Sequence, residues 1–556
     1  MTASPKPGNL LVRLLPSMQD FAFLMPILFL FGRMDGTRSI LGDGDTGWHI
    51  RTGEWILAHG RVPHHDIFSF TRPGEPWFAW EWLWDVVFAI LHRWGGLALV
   101  VLVSMLLISS TSVLLYRLAA RRSSPPVAIA VTMLAAASSS IHWLARPHLF
   151  TLLFAVIFLH LLDRVAEGRV RLLWFLPALT LVWTNLHGGF FVGILLIGAY
   201  ALGELAGWAV AQDRAMGLLR RQAGLRYLAT AAACLAASFV NPYTFRLHKH
   251  VVAYLNDSYQ KDHIVEFFSL NFHHPVAPFF ELLLLVGAVA AIWHGARGNY
   301  RALVMVAVWG HGALIAARNI PIFAIAVTPL LAEALEQWLR DIPSLPAAAW
   351  VGRAGRAFLA RASHLSAMER VWRLHLVSVA GFAAVAALVY APAPPRGFRP
   401  EFDPNTYPAV ALQKVEFTAG SRVFTNDEWG DYLIYRLYPN MRVFVDGRSD
   451  FYGRAFEEKY LDVVNVKHNW ESILTGYGID TVLLPAGASL AGALKESSRW
   501  RVVYDDGVTL VFRPGHLPAG RKHVSAASGD GRGRDREITK TDTSDRTITD
   551  TIDSTT

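Results

Sequence analysis

Acidic, histidine and arginine residues gather in a few short stretches of an otherwise apolar chain. Asp43 and Asp45 stand two residues apart in LGDGDTGWH, with His49 four residues further on. His64, His65, Asp66 and Glu81 follow. Later apolar runs are interrupted by Arg146-Pro147-His148, by Asn185 and His187 before Gly188-Gly189, by Asn241-Pro242-Tyr243, by His273-His274 and by Arg318-Asn319. A positioned carboxylate takes a proton from a reacting group. Arginine pairs bidentately with phosphate or carboxylate. Histidine relays a proton or donates to a phosphate. Each of these residues also has a plainer reading. Asp45 caps the helix that follows it. Arg146 and Arg318 snorkel to lipid headgroups. His148 and His187 are hydrogen-bonded helix ends, and Glu81 is a helix N-terminal charge favoured by the dipole. The Asp43/Asp45 pair, with help from His, also suits a divalent cation such as Mg²⁺ or Mn²⁺.

The elements that must position these groups are set by composition. Of 556 residues, 53% are hydrophobic and 17% are charged, against about 25% charged in soluble domains. That excludes a soluble enzyme and a disordered scaffold, and it predicts an α-helical polytopic membrane protein. About eleven apolar runs are long enough to span: 16–33, 95–116, 126–143, 148–163, 172–186, 189–210, 226–240, 278–293, 301–317, 319–336 and 375–391. The segment 81–94 is amphipathic and is expected to lie at the membrane interface or to dip into it. The first run reads as an uncleaved span.

Arginines concentrate in alternate loops, for example Arg117, Arg121 and Arg122, or Arg214, Arg220, Arg221 and Arg226. The opposite short connections hold only Arg146 and Arg318. The basic loops therefore face the cytoplasm. The formal net charge of +8 is mostly this topology signal, which removes the nucleic-acid reading. Every His, Asn and carboxylate cluster above then falls on the outer face. The lone Cys234 excludes an internal disulfide.

This places residues 1–391 in a transmembrane domain, with 34–94 as a first outer loop. In that loop the helix after Asp45 carries Trp48, Trp55 and Ile56 on one face and is expected to lie in the interface. Residues 392–419 read as a Pro-rich linker. Residues 420–515 read as an extramembrane α/β domain with strands at RVFT, RVFVD, IDTVLLP, WRVVYDD and VTLVF. In VFVDGRSD, Asp446 and Asp450 are expected to satisfy Arg448. The stretch 516–556 is expected to be disordered: from 521 on it carries seven basic and seven acidic residues, interspersed, and no aromatics. No P-loop or HExxH occurs.

An outer-loop aspartate, an interfacial helix and a many-span body resemble the GT-C superfamily of membrane glycosyltransferases. DTGWHIRTGEWILAHGRVPHHDIFSFT…PWFAWEWL is similar to the opening of a bacterial group in it. RPH at 146–148, WTNLHGGF at 183–190, NPY at 241–243 and the Arg318-Asn319 turn look like its landmarks. The resemblance covers about residues 15–335. It implies transfer of a sugar from a polyprenyl-phosphate donor to a glycan, lipid or protein acceptor outside the inner membrane, with inversion. Asp45 inherits the role of base, with Asp43 second. His49, Asp66, Glu81, Arg146, His148, Asn185, His187 and Arg318 are the expected substrate-binding set. The competing readings are a lipid-linked glycan transporter, disfavoured by the lack of internal repeats, and a non-catalytic assembly factor.

Overall fold

The computed structural model describes residues 10–344 and 349–515. The expected disordered stretch 516–556 lies outside the described residues. Each of the eleven apolar runs falls largely within a helix. Among the described residues, seven helices are long and apolar enough to cross a bilayer: Val12–Arg33, Trp82–Ala119, Pro125–His142, His148–Ala166, Gly188–Ala209, Ala277–Ala296 and Ala317–Asp341. Val170–Leu186, Tyr300–Ile315 and Leu376–Val389 are apolar but shorter. The run 226–240 is mostly the second half of the Arg214–Ala237 helix, whose first half carries three arginines. The chain is a membrane protein built of helices, with a small sheet domain at its C-terminal end.

Residues 82–94 form a helix joined to the apolar helix 97–119 through non-helical backbone at Gly95-Gly96, and they bury Trp84, Asp85, Phe88 and Ala89. The Asp45–His59 helix packs against it and buries Trp48 and Ile56. Its Gly53 sits so close to the neighbouring helix that a Cβ there would stand 1.9 Å from the Asp85 carbonyl oxygen. Its other side meets the Asp427–Leu437 helix, where Arg51 Nε donates to the Tyr435 carbonyl at 2.8 Å.

The C-terminal domain holds four strands: β1 (Val423–Phe424), β2 (Thr481–Pro485), β3 (Trp500–Asp505) and β4 (Thr509–Pro514), in the order β1-β2-β4-β3. β1 runs parallel to β2, and β4 is antiparallel to both β2 and β3. The expected strand at 442–446 is not part of this sheet. Val443 instead pairs with the loop at 68–70, donating to Phe68 O and accepting from Phe70 N, both at 3.0 Å. The stretch 392–419 is packed too, with Phe402 and Tyr407 buried against Tyr432.

Candidate active site

The helix beginning at Asp45, the start of the Trp82–Ala119 helix, the turn at 143–147, the His187-Gly188-Gly189 break and the turn at Arg318 converge on one cavity of about 310 Å³. Asp45, His49, Glu81, Arg146, His187 and Arg318 line it together. Aromatic side chains complete its walls, among them Trp77, Phe78, Trp80, Tyr254 and Trp309. The C-terminal domain supplies the remaining wall through Gly447, Arg448, Ser449 and Asp450.

Arg146 is the centre of charge. Its guanidinium meets Asp45 Oδ2 at 2.6 Å, Asp43 Oδ2 at 2.8 Å and Glu266 Oε1 at 2.6 Å. The second Glu266 oxygen lies 3.9 Å from Arg318, whose guanidinium stacks on Phe267 at 4.8 Å. Trp48 Nε1 donates to Asp45 Oδ1 at 3.1 Å, and the Asp45 amide donates to Asp43 at 2.8 Å. Burial raises the Asp45 carboxyl; Asp43 and Glu266 add to this, Arg146 and Trp48 oppose it, and the net shift is upward. Burial also raises Glu266, but Arg146, His142 and Arg318 outweigh it and hold that carboxyl below its ordinary range. The same three carboxylates keep the Arg146 guanidinium charged despite burial.

Asp43, Asp45 and Glu266 all turn to the guanidinium, and no group of three or more His, Cys, Asp or Glu side chains among the described residues is arranged to hold a metal ion.

Several expected residues stand elsewhere. Asp66 is buried beneath the cavity wall, where it accepts from Ser69 Oγ at 2.8 Å and pairs with Arg448 at 2.7 Å. His148 is a buried helix start bonded to the His142 carbonyl at 2.7 Å. Asn185 accepts from Trp82 Nε1 at 2.9 Å and donates to the Leu181 and Val240 carbonyls, tying loops together. Asp446 does satisfy Arg448, at 2.7 Å, but Asp450 turns away to His250 at 2.9 Å.

Other groups at the site were not singled out in the sequence. Glu266 is one acidic residue in a mixed polar segment, where nothing marks it. Asp85 stands four residues after Glu81 on one helix, a spacing that puts both carboxylates on one face. Asp431 of the C-terminal domain approaches Asp45 across Gly447. A Cβ at Gly447 would stand 2.4 Å from Asp45 Oδ1 and 2.7 Å from Asp431 Oδ2, so only glycine fits between them.

Three buried side-chain donors of the lining lack a partner: Arg146 Nε, Trp309 Nε1 and Arg448 Nη1. Buried donors are normally hydrogen-bonded, and three unmet ones around a void suit a ligand rich in acceptor oxygens.

No protein-family model matches the sequence, and comparison with curated proteins finds no relative. Solved structures do match. The fold is similar to that of the archaeal oligosaccharyltransferase AglB from Archaeoglobus fulgidus, solved in complex with an inhibitory peptide and a dolichol-phosphate. That match has a TM-score of 0.52 and 12% identity over 91% of this chain and 74% of that one. The apo form of the Archaeoglobus fulgidus oligosaccharyltransferase gives a TM-score of 0.50 and 12% identity over 90% and 74%. The chain thus shares the fold of these oligosaccharyltransferase structures. At this identity the likeness is one of architecture.

Proposed function

We propose that this chain is a glycosyltransferase that moves a sugar from a polyprenyl-phosphate donor to an acceptor on the periplasmic face of the inner membrane. The observation that carries this reading is the meeting of Asp45, Arg146 and Arg318 on one aromatic-walled cavity. Arg318 supports it most directly: its ion pair with Glu266 is long, at 3.9 Å, and its guanidinium, stacked on Phe267, lines the cavity. A planar guanidinium fork suits a phosphate. The N-terminus is assigned to the cytoplasm, and the C-terminal domain to the periplasm, from the arginine asymmetry of the loops.

In this reading the sugar stacks on the aromatic wall and the lipid phosphate meets Arg318 and Arg146. Asp45 faces the acceptor hydroxyl. The acceptor oxygen attacks the anomeric carbon while the bond from that carbon to the phosphate oxygen breaks. Asp45 takes the hydroxyl proton, and the arginines stabilise the departing phosphate. A single displacement of this kind inverts the anomeric centre. The upward shift of Asp45 suits a base working near neutral pH.

The test uses purified protein and a panel of labelled polyprenyl-phosphate sugars. Wild type is expected to transfer from at least one donor. Asp45→Asn should lower turnover by about 10²–10⁴-fold, and Arg318→Ala should weaken use of the donor. Unchanged turnover in Asp45→Asn would remove the base assignment.

A further inference from the structure

A second cavity lies among the apolar helices, away from the first. It is a slot of about 490 Å³. Its lining is Phe23 from the Val12–Arg33 helix, Leu106 and Val113 from the Trp82–Ala119 helix, and Val379, Phe382 and Ala383 from the Leu376–Val389 helix. The Val12–Arg33 helix packs against both of the others and forms the floor. There Phe23 meets Phe382 edge-on at 6.1 Å, and a Cβ on Gly381 would stand 2.7 Å from Leu24 Cδ2. The other two helices flank the slot. They are tied at one end, where Tyr390 Oη donates to the Gly95 carbonyl at 3.2 Å. At the other end the slot runs to Gln19, Arg117 and His375. Leu106 and Val379 are exposed, so the slot also opens sideways toward the surrounding hydrocarbon.

Polar groups are confined to that mouth, and one cation there is unmatched. Arg117 is exposed, and its Nε donates to Gln19 Oε1 at 2.6 Å. Among the described residues no carboxylate stands within ion-pair distance of it. The nearby acids are already taken. Asp20 accepts from the Ser17 amide at 2.7 Å and from Ser378 Oγ at 2.6 Å, and lies 3.3 Å from His375 Nδ1. Glu369 accepts from the Met18 amide at 3.2 Å. Arg121 and Arg122, a few residues on, are by contrast both paired with Asp163. The segment leading to His375 adds exposed positive charge, with Arg353, Arg356 and Arg361 on the Ala349–Glu369 helix and Arg370 just after it.

The dimensions suit a lipid. Leu106 stands eleven residues before Arg117 on one helix, about 16 Å along its axis. That is about half of a hydrocarbon core of about 30 Å. An apolar slot of one leaflet's depth, with a guanidinium at headgroup level, matches one acyl chain and the phosphate of a phospholipid. Arg117 lies near the end of the helix that Trp82 begins, so the mouth is at the opposite end of that helix from the transferase cavity. The arginine asymmetry assigns this end to the cytoplasm, and the cytoplasmic leaflet is the negatively charged one.

We propose that the slot is a binding site for an anionic phospholipid, with one acyl chain between the Trp82–Ala119 and Leu376–Val389 helices and the phosphate on Arg117. The site is separate from the transferase cavity, and the proposal does not depend on the transferase reading.

The experiment uses the full chain in phosphatidylcholine nanodiscs doped with a trace of phosphatidylglycerol or phosphatidylcholine carrying a diazirine on one acyl chain. Light couples the chain to the residues beside it, and mass spectrometry maps the labelled peptides. In wild type the phosphatidylglycerol probe should label the slot residues of 106–113 and 379–383 more strongly than the phosphatidylcholine probe. Arg117→Gln, at an exposed position, should lower that labelling by about fivefold, the scale of one basic residue at a charged surface, and bring the two probes level. Ala383→Trp, which fills the slot from an exposed position, should remove slot labelling by both probes while labelling of the Ala277–Ala296 helix persists. Equal slot labelling by the two probes in wild type overturns the proposal, a result that depends on no variant folding. So does slot labelling that survives Ala383→Trp. Displacement of the probe by polyprenyl phosphate at lower concentration than by unlabelled phosphatidylglycerol also overturns it, since the slot would then belong to the longer lipid.

Discussion

Two arginines set among carboxylates, Arg146 and Arg448, are built from similar parts and left in different states. The Arg448 side chain is 1% exposed, against 22% for Arg146. Arg448 meets two carboxylates, Asp66 and Asp446, and its guanidinium lies over Trp77 at 4.5 Å, Phe451 at 4.9 Å and Phe68 at 5.0 Å. Tyr452 donates to Asp446 at 2.8 Å, and backbone amides of Phe68 and Ser69 donate to Asp66. Nearly every acceptor is met, so this set is a clamp between the first outer loop and the C-terminal domain. Arg146 instead faces three carboxylates with one guanidinium, beside a void. Residue types are shared. The difference is that Arg448 is sealed from water with its two carboxylates matched, only its Nη1 left without a partner at the cavity wall, whereas Arg146 shares one guanidinium among three carboxylates beside the void.

The largest effect separates the two as stability. Arg448→Met leaves Asp66 and Asp446 buried without their cation, and removing one partner of a buried pair costs about 3–5 kcal/mol. Chemical unfolding in detergent should show that loss, with Asp446→Asn in the same direction. A stable Arg448→Met protein that fails only in turnover would break the comparison. The next effect separates them as activity. Arg146→Ala should lower kcat by about 10²–10³-fold, the scale of one lost donor to developing charge. Its unfolding midpoint should move less than that of Arg448→Met, because the Asp43 and Glu266 side chains are each 25% exposed and water reaches them. Arg146→Lys should recover only part of the rate, since an ammonium cannot fork to three carboxylates. An Arg146→Ala protein as unstable as Arg448→Met would erase the distinction.

The comparison also marks what sequence could and could not reveal. The helical body was legible because apolar runs announce themselves by length. Asp45, Arg146 and Arg318 stood out as charges interrupting apolar sequence. Asp66 stood out for the same reason and proved to belong to the clamp, because its partner lies 382 residues away. Asp85 was hidden by the apolar helix around it, and Glu266 by a polar segment in which one more acid carries no signal. RVFVD has the alternation of a sheet strand, yet its partner is the loop at 68–70. Periodicity reports which face is buried and not which neighbour buries it.

The smallest effect tests the charge imbalance itself through acid stability. Glu266 is held below its ordinary range in the folded protein. Its ion pairing therefore contributes stability at and above the ordinary carboxylate pKa of about 4.3, and that contribution is lost as the pH falls through the lower folded value. In wild type the unfolding midpoint should decline on acidification below about pH 4. In Arg146→Ala, burial is left as the dominant influence on Glu266, which raises the carboxyl. The folded state then binds the proton more readily than the unfolded chain, and the decline should flatten. Arg318→Ala should keep most of the wild-type slope, because its contact with Glu266 is 3.9 Å against 2.6 Å for Arg146. Equal slopes in all three proteins would mean that Glu266 is satisfied by something other than Arg146. The cavity's charge would then have to be reckoned without the pairing on which the contrast with Arg448 depends.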